Sequence, residues 1–214
     1  MKNKLLLFLL IGISTNTFSQ KIFRNIILPF EAKTRNGDYK GDSDTLYTTI
    51  GNNTFVITPK GKLSWGTNRN NSIQLKTGMN IESAYLHKFK DILFVFYTEY
   101  DGEDATSRVE KINLNTGRRI WKSEILGFNL GLPYIVNNFA YVTTIGRVGK
   151  LDMKNGGYIY NFNGLYDNQK ESFNSFDTII FKNNSTIFIS KNWKSKRVDS
   201  LIVNEKTLST IIKK

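Results

Sequence analysis

Thr48-Thr49-Ile50-Gly51 recurs as Thr143-Thr144-Ile145-Gly146, and the match continues beyond those residues. Ten residues past each glycine stands another, Gly61 and Gly156, and four further on an aromatic, Trp65 and Tyr160. All share one ungapped offset of 95. A third copy lies between them, where Lys111 to Trp121, with Gly117, aligns with Lys150 to Tyr160 at an offset of 39. A period near forty marks supersecondary units that each bury a face only by stacking on a neighbour.

The units are made of strands. Short apolar or alternating runs recur at 22–30, 54–58, 92–98, 139–145, 178–181, 186–190 and 198–203, rich in Ile, Val, Phe, Tyr and Thr. Those residues fit a pleated, half-buried surface. Asn-Gly, Asp-Gly and Thr-Gly turn signals separate them, and no dozen-residue window keeps the helical spacing of apolar residues. Four units are expected, at about 44–66, 84–125, 134–165 and 176–212. In the fourth, Asn204 to Thr207 aligns with Asp152 to Asn155 at an offset of 52, but Leu208 stands where the glycine belongs. The expected fold is all-β, a small or partial β-propeller of about four to five blades, with an open β-array or β-sandwich as the alternative. The segment 22–34 lacks a whole unit and is expected to complete the last blade and close the ring.

The chain divides into residues 1–19 and a single domain, 20–214. Lys2 and Lys4 precede a nine-residue apolar run, Leu5 to Ile13, and then a polar stretch. Thr17 and Ser19 place small residues before a cut ahead of Gln20, the pattern of a secretory signal peptide. At about 1.5 Å per residue that run is too short to cross a hydrocarbon core about 30 Å thick. Export to the periplasm or beyond is therefore expected, with a soluble mature domain and no membrane span. The absence of cysteine fits a domain large enough to fold without disulfides.

The formal net charge is +12, and it falls to +10 with the loss of Lys2 and Lys4. For an exported chain the expected partners of such charge are a protein or an anionic glycan, not nucleic acid.

The segment Lys-x-Asn/Asp-x-x-Thr/Asn-Gly-x-x-x-Trp/Tyr resembles the repeat of the PQQ-like (quinoprotein-type) β-propellers. Asn113, Thr116, Gly117 and Trp121 match one copy, and Asp152, Asn155, Gly156 and Tyr160 another. Gly61 and Trp65 match a third in part. The resemblance implies aromatics that dock between blades. Lys111 and Lys150 stand where that family carries alanine, so the docking around them is expected to differ. The family's enzymes use a quinone, calcium and often a vicinal disulfide, and this cysteine-free chain has no matching site. The resemblance therefore implies the family's non-enzymatic exported members, which act as scaffolds or assembly factors, with no cofactor.

Chemistry-bearing residues are few. His87 is the only histidine and is expected to be structural or at the surface. Asp101, Glu103 and Asp104 form an acidic loop that could ligate calcium through oxygen, although a solvated turn explains it as well. Trp193, Lys194, Lys196 and Arg197 form the densest basic run, at the expected tip of a hairpin, and are the candidate partner-binding residues. No catalytic residue is identified. The expected function is a non-enzymatic binding or scaffolding module that engages its partner through loops at one end of the propeller. A periplasmic immunity or inhibitor protein, or a glycan-active enzyme with two carboxylates in one pocket, is the alternative.

Overall fold

Near-continuous apolar runs such as Ile92 to Tyr97 give strands with two apolar faces, and such strands need cover on both sides. A computed structural model of the protein describes residues 28–29, 31–32, 45–66, 71–75, 77–101, 103–163, 166–167, 172–173, 175–191 and 198–213. All regular structure among them is antiparallel β. The N-terminal segment gives β1 (Leu28–Pro29) and β2 (Glu31–Ala32), and the first sheet continues through β3 (Leu46–Ile50), β4 (Asn53–Ile57), β5 (Lys62–Gly66) and β6 (Asn71–Gln74). The second sheet holds β7 (Asn80–Phe89), β8 (Ile92–Tyr100), β9 (Ala105–Asn113) and β10 (Arg118–Lys122). The third holds β11 (Tyr134–Val136), β12 (Phe139–Thr144), β13 (Arg147–Asp152) and β14 (Tyr158–Asn163). A two-strand hairpin, β15 (Tyr166–Asp167) with β16 (Ser172–Phe173), precedes the fourth sheet. That sheet holds β17 (Ser175–Lys182), β18 (Ser185–Lys191), β19 (Val198–Asn204) and β20 (Thr210–Lys213).

Strands follow chain order across each sheet, and the sheets stack in chain order. One apolar cluster joins the first sheet to the second through Phe55, Leu63 and Trp65 against Leu86, Val95 and Ile112. Another joins the second to the third through Phe94, Phe96 and Val109 against Ile135, Ala140 and Leu151. The last joins the third to the fourth through Tyr141, Val148 and Tyr160 against Phe188, Leu201 and Val203. Four blades in sequence, each packed on the next, make a partial β-propeller. Among the described residues no apolar cluster joins the fourth sheet to the first.

The described residues of the N-terminal segment do not pair with the fourth sheet. Leu28–Pro29 pairs with β7 and Glu31–Ala32 pairs with β3, so they line the leading edges of the second and first sheets. The fourth sheet draws its four described strands from residues 175–213.

The repeat's glycine and aromatic act together. Asn113 Oδ1 accepts hydrogen bonds from the amides of Asn115 and Thr116, and Gly117 N–H donates to the Asn113 carbonyl. Asp152 and Asn204 brace the equivalent turns the same way. The closing residue takes positive φ, 65° at Gly117 and 80° at Gly156. Trp65 of the first sheet lies over the turn of the second, its Cη2 3.8 Å from where a Cβ on Gly117 would stand. Trp121 of the second sheet covers the turn of the third more closely. A Cβ on Gly156 would come within 2.7 Å of its ring, and its indole N–H donates to the Lys154 carbonyl at 3.1 Å. Tyr160 of the third sheet reaches the turn of the fourth, its hydroxyl 3.0 Å from Glu205 Oε1.

Strand register places each aromatic in a row across its sheet. His87, Phe94, Lys111 and Trp121 are direct neighbours across the second sheet. Tyr134, Tyr141, Lys150 and Tyr160 form the same row in the third. In the fourth the row is Ile180, Ile187, Ile202 and Ile211. The first two rows face the next sheet. The isoleucine row has no following sheet among the described residues, and Ile211 is 59% exposed.

Two outcomes check this arrangement by urea unfolding. Leu208 closes the fourth turn at a φ of 57°, strained for a residue with a Cβ. Leu208→Gly should therefore stabilise the protein by about 0.5–1 kcal/mol. Leu201→Ala, on the covered face, should cost about 2–5 kcal/mol, whereas Ile202→Thr on the open face should cost under about 1 kcal/mol.

Candidate functional site: a cleft between the second and third sheets

The lysines at 111 and 150 decide how neighbouring sheets meet. Between the third and fourth sheets, Lys150 Nζ forms an ion pair with Glu205 Oε2 at 2.5 Å and lies over the Phe139 ring at 4.4 Å. Tyr160 and Thr186 donate their hydroxyls to Glu205 Oε1. Burial opposes the charge on Lys150, but Glu205 and Tyr141 outweigh it and hold its pKa above the ordinary lysine value. Phe181 packs edge-on against Tyr141, ring centroids 4.7 Å apart. This interface is filled and internally neutralised.

Carrying the repeat alignment across the sheets shows what changes one interface earlier. The strand partners that put Phe181, Thr186 and Val203 in line put Ile135, Ala140 and Leu151 in line in the third sheet. Met153 holds the turn position of Glu205. Three larger or polar side chains are thus replaced by Ile135, Ala140 and Met153. Among the described residues Lys111 meets no carboxylate there. Its Nζ donates to the Met153 carbonyl at 3.1 Å and sits 5.4 Å from the Phe94 ring centre.

A cleft of about 730 Å³ opens at this place. Phe94, Ile135 and Met153 give it an apolar wall, and Asn137 and Asn138 of the β11–β12 turn bring amides. Phe89, 56% exposed, stands beside the β7–β8 turn on its lining. The charged side chains on the cleft are Lys111 and Lys154, with no carboxylate among the described lining residues. The cleft therefore lies at the end of the array where the β7–β8, β11–β12 and β13–β14 turns gather, and its volume is in the range of small-molecule sites.

His87 also lines the cleft, and it is buried, 3% exposed, rather than at the surface. Its ring lies 5.8 Å from Phe94, and its Nδ1 has no hydrogen-bond partner among the described residues. Burial disfavours the imidazolium and lowers the pKa to about 4. The sequence signal that could have found this role is its place in the row of Phe94, Lys111 and Trp121, which appears only once β7 is registered on β8.

The other candidates fall elsewhere. Trp65, Gly61, Gly117, Trp121, Gly156 and Tyr160 are structural, at turns and sheet interfaces. Asp101 Oδ1 accepts hydrogen bonds from the amides of Glu103 and Asp104, and so braces the β8–β9 turn. Asp101 also lines a smaller cleft of about 260 Å³ with Lys60 and Asn80. No group of three metal-capable side chains occurs among the described residues. Trp193, Lys194, Lys196 and Arg197 belong to the β18–β19 connection and lie outside the described residues.

The two buried carboxylates of the second sheet are fully engaged. Glu110 accepts from the Tyr97 hydroxyl at 2.8 Å and from Arg119 Nε at 2.5 Å. Glu99 accepts from Arg108, Thr106 and the amides of Gly78 and Met79. Burial works against the Glu99 charge, but those donors hold its carboxyl below the usual range. Both ion pairs join strands of the second sheet, and Arg119 also donates to the Gln74 carbonyl of the first.

No protein-family model matches the chain, and no curated protein matches it. Similar solved structures include the computationally designed Ika4 protein, at 16% identity, with 72% of this chain and 87% of that one covered and a TM-score of 0.40. BamB from Moraxella catarrhalis is similar at 12% identity, 82% and 59% coverage and a TM-score of 0.38. The WD40 domain of SCAP from fission yeast is similar at 13% identity, 86% and 46% coverage and a TM-score of 0.40. The chain thus spans 59% of BamB and 46% of the SCAP domain. The propeller assignment rests on this chain's own sheets and their order.

The state of His87 has a measurable consequence. An unfolded histidine takes up its proton near pH 6.5, whereas the folded one resists until about pH 4. Stability supplied by the neutral form is thus complete above pH 6.5 and lost as pH falls towards 4. Over that window wild type should lose up to about 3 kcal/mol that His87→Phe does not lose, as read from urea midpoints at each pH.

Proposed function

We propose that the protein is an exported, non-catalytic binding module that captures its partner at the end of the array where the cleft opens. The cleft between the second and third sheets carries this reading, because it combines an apolar wall with amides and two lysines at one end of the array. Its residues are positioned by regular strands and short turns, so the surface is largely pre-formed. The non-catalytic reading is supported by His87, the chain's only histidine, serving as a buried wedge, and by Glu99 and Glu110 serving as ion-pair anchors. The turn that ends in Gly-x-x-x-aromatic, with the aromatic docked on the next sheet, supports a PQQ-like repeat. Among the described residues no helix is long and apolar enough to cross a membrane.

Export rests on the pattern of residues 1–19. Edman sequencing of the protein recovered from the exporting compartment should begin at Gln20. A mature chain that begins at Met1 contradicts export by this signal.

The second candidate face is the β18–β19 connection, where the basic run Lys191 to Arg197 would suit an acidic protein or anionic glycan. A capture assay separates the two ends. Bait of wild type, Phe89→Ser and Trp193→Ala is compared for the same recovered partner at low and high salt. Loss of capture with Phe89→Ser and retention with Trp193→Ala is expected. The opposite pattern, with capture falling steeply as salt screens charge over about 8–10 Å, would assign the binding face to the basic run instead.

A further inference from the structure

We propose that the cleft between the second and third sheets binds a small organic anion, a carboxylate on an apolar body, and that the carboxylate takes at Lys111 the place Glu205 takes at Lys150. The proposal rests on reading this end of the array as the binding face, and it names the chemistry of what enters.

The chain carries its own template for the site. Lys150 and Lys111 occupy the same position in successive repeats, and each reaches forward to the turn of the next sheet. Lys150 meets the carboxylate of Glu205, held also by the hydroxyls of Tyr160 and Thr186. Lys111 meets Met153, whose side chain offers no charge and whose carbonyl takes one hydrogen bond. An ammonium has three donors, so two remain for a ligand. Glu205 stands in the β19–β20 turn, and among the described residues no carboxylate of the third sheet does its work for Lys111.

The space around Lys111 matches an entering group. Where Phe181 and Thr186 close the later interface, Ile135 and Ala140 leave room in the earlier one. The cleft's positive charge comes from Lys111 and Lys154, and no carboxylate among the described lining residues neutralises it. A charge pair formed in such a partly buried site is stronger than one on the surface. Phe94, Ile135 and Met153 give the apolar body its contact. Asn137 and Asn138 supply amides, and the unpartnered, buried His87 Nδ1 is a further polar group beside the cleft. A simple inorganic anion would leave the apolar wall uncovered. A neutral hydrocarbon would leave Lys111 unpaired.

The test uses the purified mature chain and two probes of nearly the same shape, 1-naphthaleneacetate and the neutral 1-naphthaleneacetamide. Isothermal titration should show the anion binding at least about tenfold more tightly than the amide, the range of one charge-assisted contact. Lys111→Met should remove the preference. Met153→Glu should also remove it by installing the carboxylate that the later interface already carries. Thermal unfolding of each variant shows that the fold is retained. Equal affinity for the two probes, no binding of either, or a preference that survives either substitution overturns the proposal. If Phe89→Ser abolishes partner capture while the anion shows no preference, the ligand class is wrong and the binding face stands.

Discussion

The contact on which the structure depends is an aromatic ring laid over the closing turn of the next sheet, a turn that ends in glycine at Gly117 and Gly156. Each blade is a single sheet of four or five antiparallel strands that buries its apolar side chains by packing on a neighbour. What fixes one blade on the next is Trp65 over the Gly117 turn, Trp121 over the Gly156 turn, and Tyr160 at the Glu205 turn. Glycine there does two things at once. It takes the positive φ that closes the turn, and it leaves the surface against which the ring lies. The repeat therefore specifies local geometry and sheet stacking with the same residues, which is why so short a motif reads through the whole chain.

Variation around that constant contact gives the interfaces different characters. Phe55 and Leu114 belong to an apolar first interface, reinforced beside it by the Glu99 and Glu110 networks. Lys150 and Glu205 make the third an ion pair. Lys111 and Met153 leave the second with a cleft of about 730 Å³. Propellers commonly place function at loop ends supported by a rigid sheet frame, and here the cleft opens among those turns.

Much of this architecture was legible in the sequence. The offsets of 95, 39 and 52 located the turns, the docking aromatics and the degenerate fourth repeat, because glycine and tryptophan have roles few other residues can fill. The described residues of the N-terminal segment pair with the second and first sheets, not with the fourth as expected. Those paired stretches are two residues each, too short to show an alternation that would say which sheet they join. The extra strand β6 was missed for a related reason, since Asn71-Ser-Ile-Gln74 has a single apolar residue and no repeat partner. The cleft was invisible because it arises from what is absent at Ile135, Ala140 and Met153 relative to Phe181, Thr186 and Glu205. That difference has meaning only once strand register aligns the two sheets. His87 was weighed by its immediate neighbours in sequence, which do not include the Phe94 and Lys111 that flank its role.

A double-mutant cycle on Trp121 and Gly156 tests the central contact most directly. Trp121→Ala alone should cost about 3–5 kcal/mol through lost burial, and Gly156→Ala alone more than about 2 kcal/mol through backbone strain and overlap with the ring. Together they should fall short of the sum by at least about 1 kcal/mol, because removal of the indole removes the overlap. Strict additivity would mean that the ring and the turn do not touch, and the stacked-blade account would fail with it.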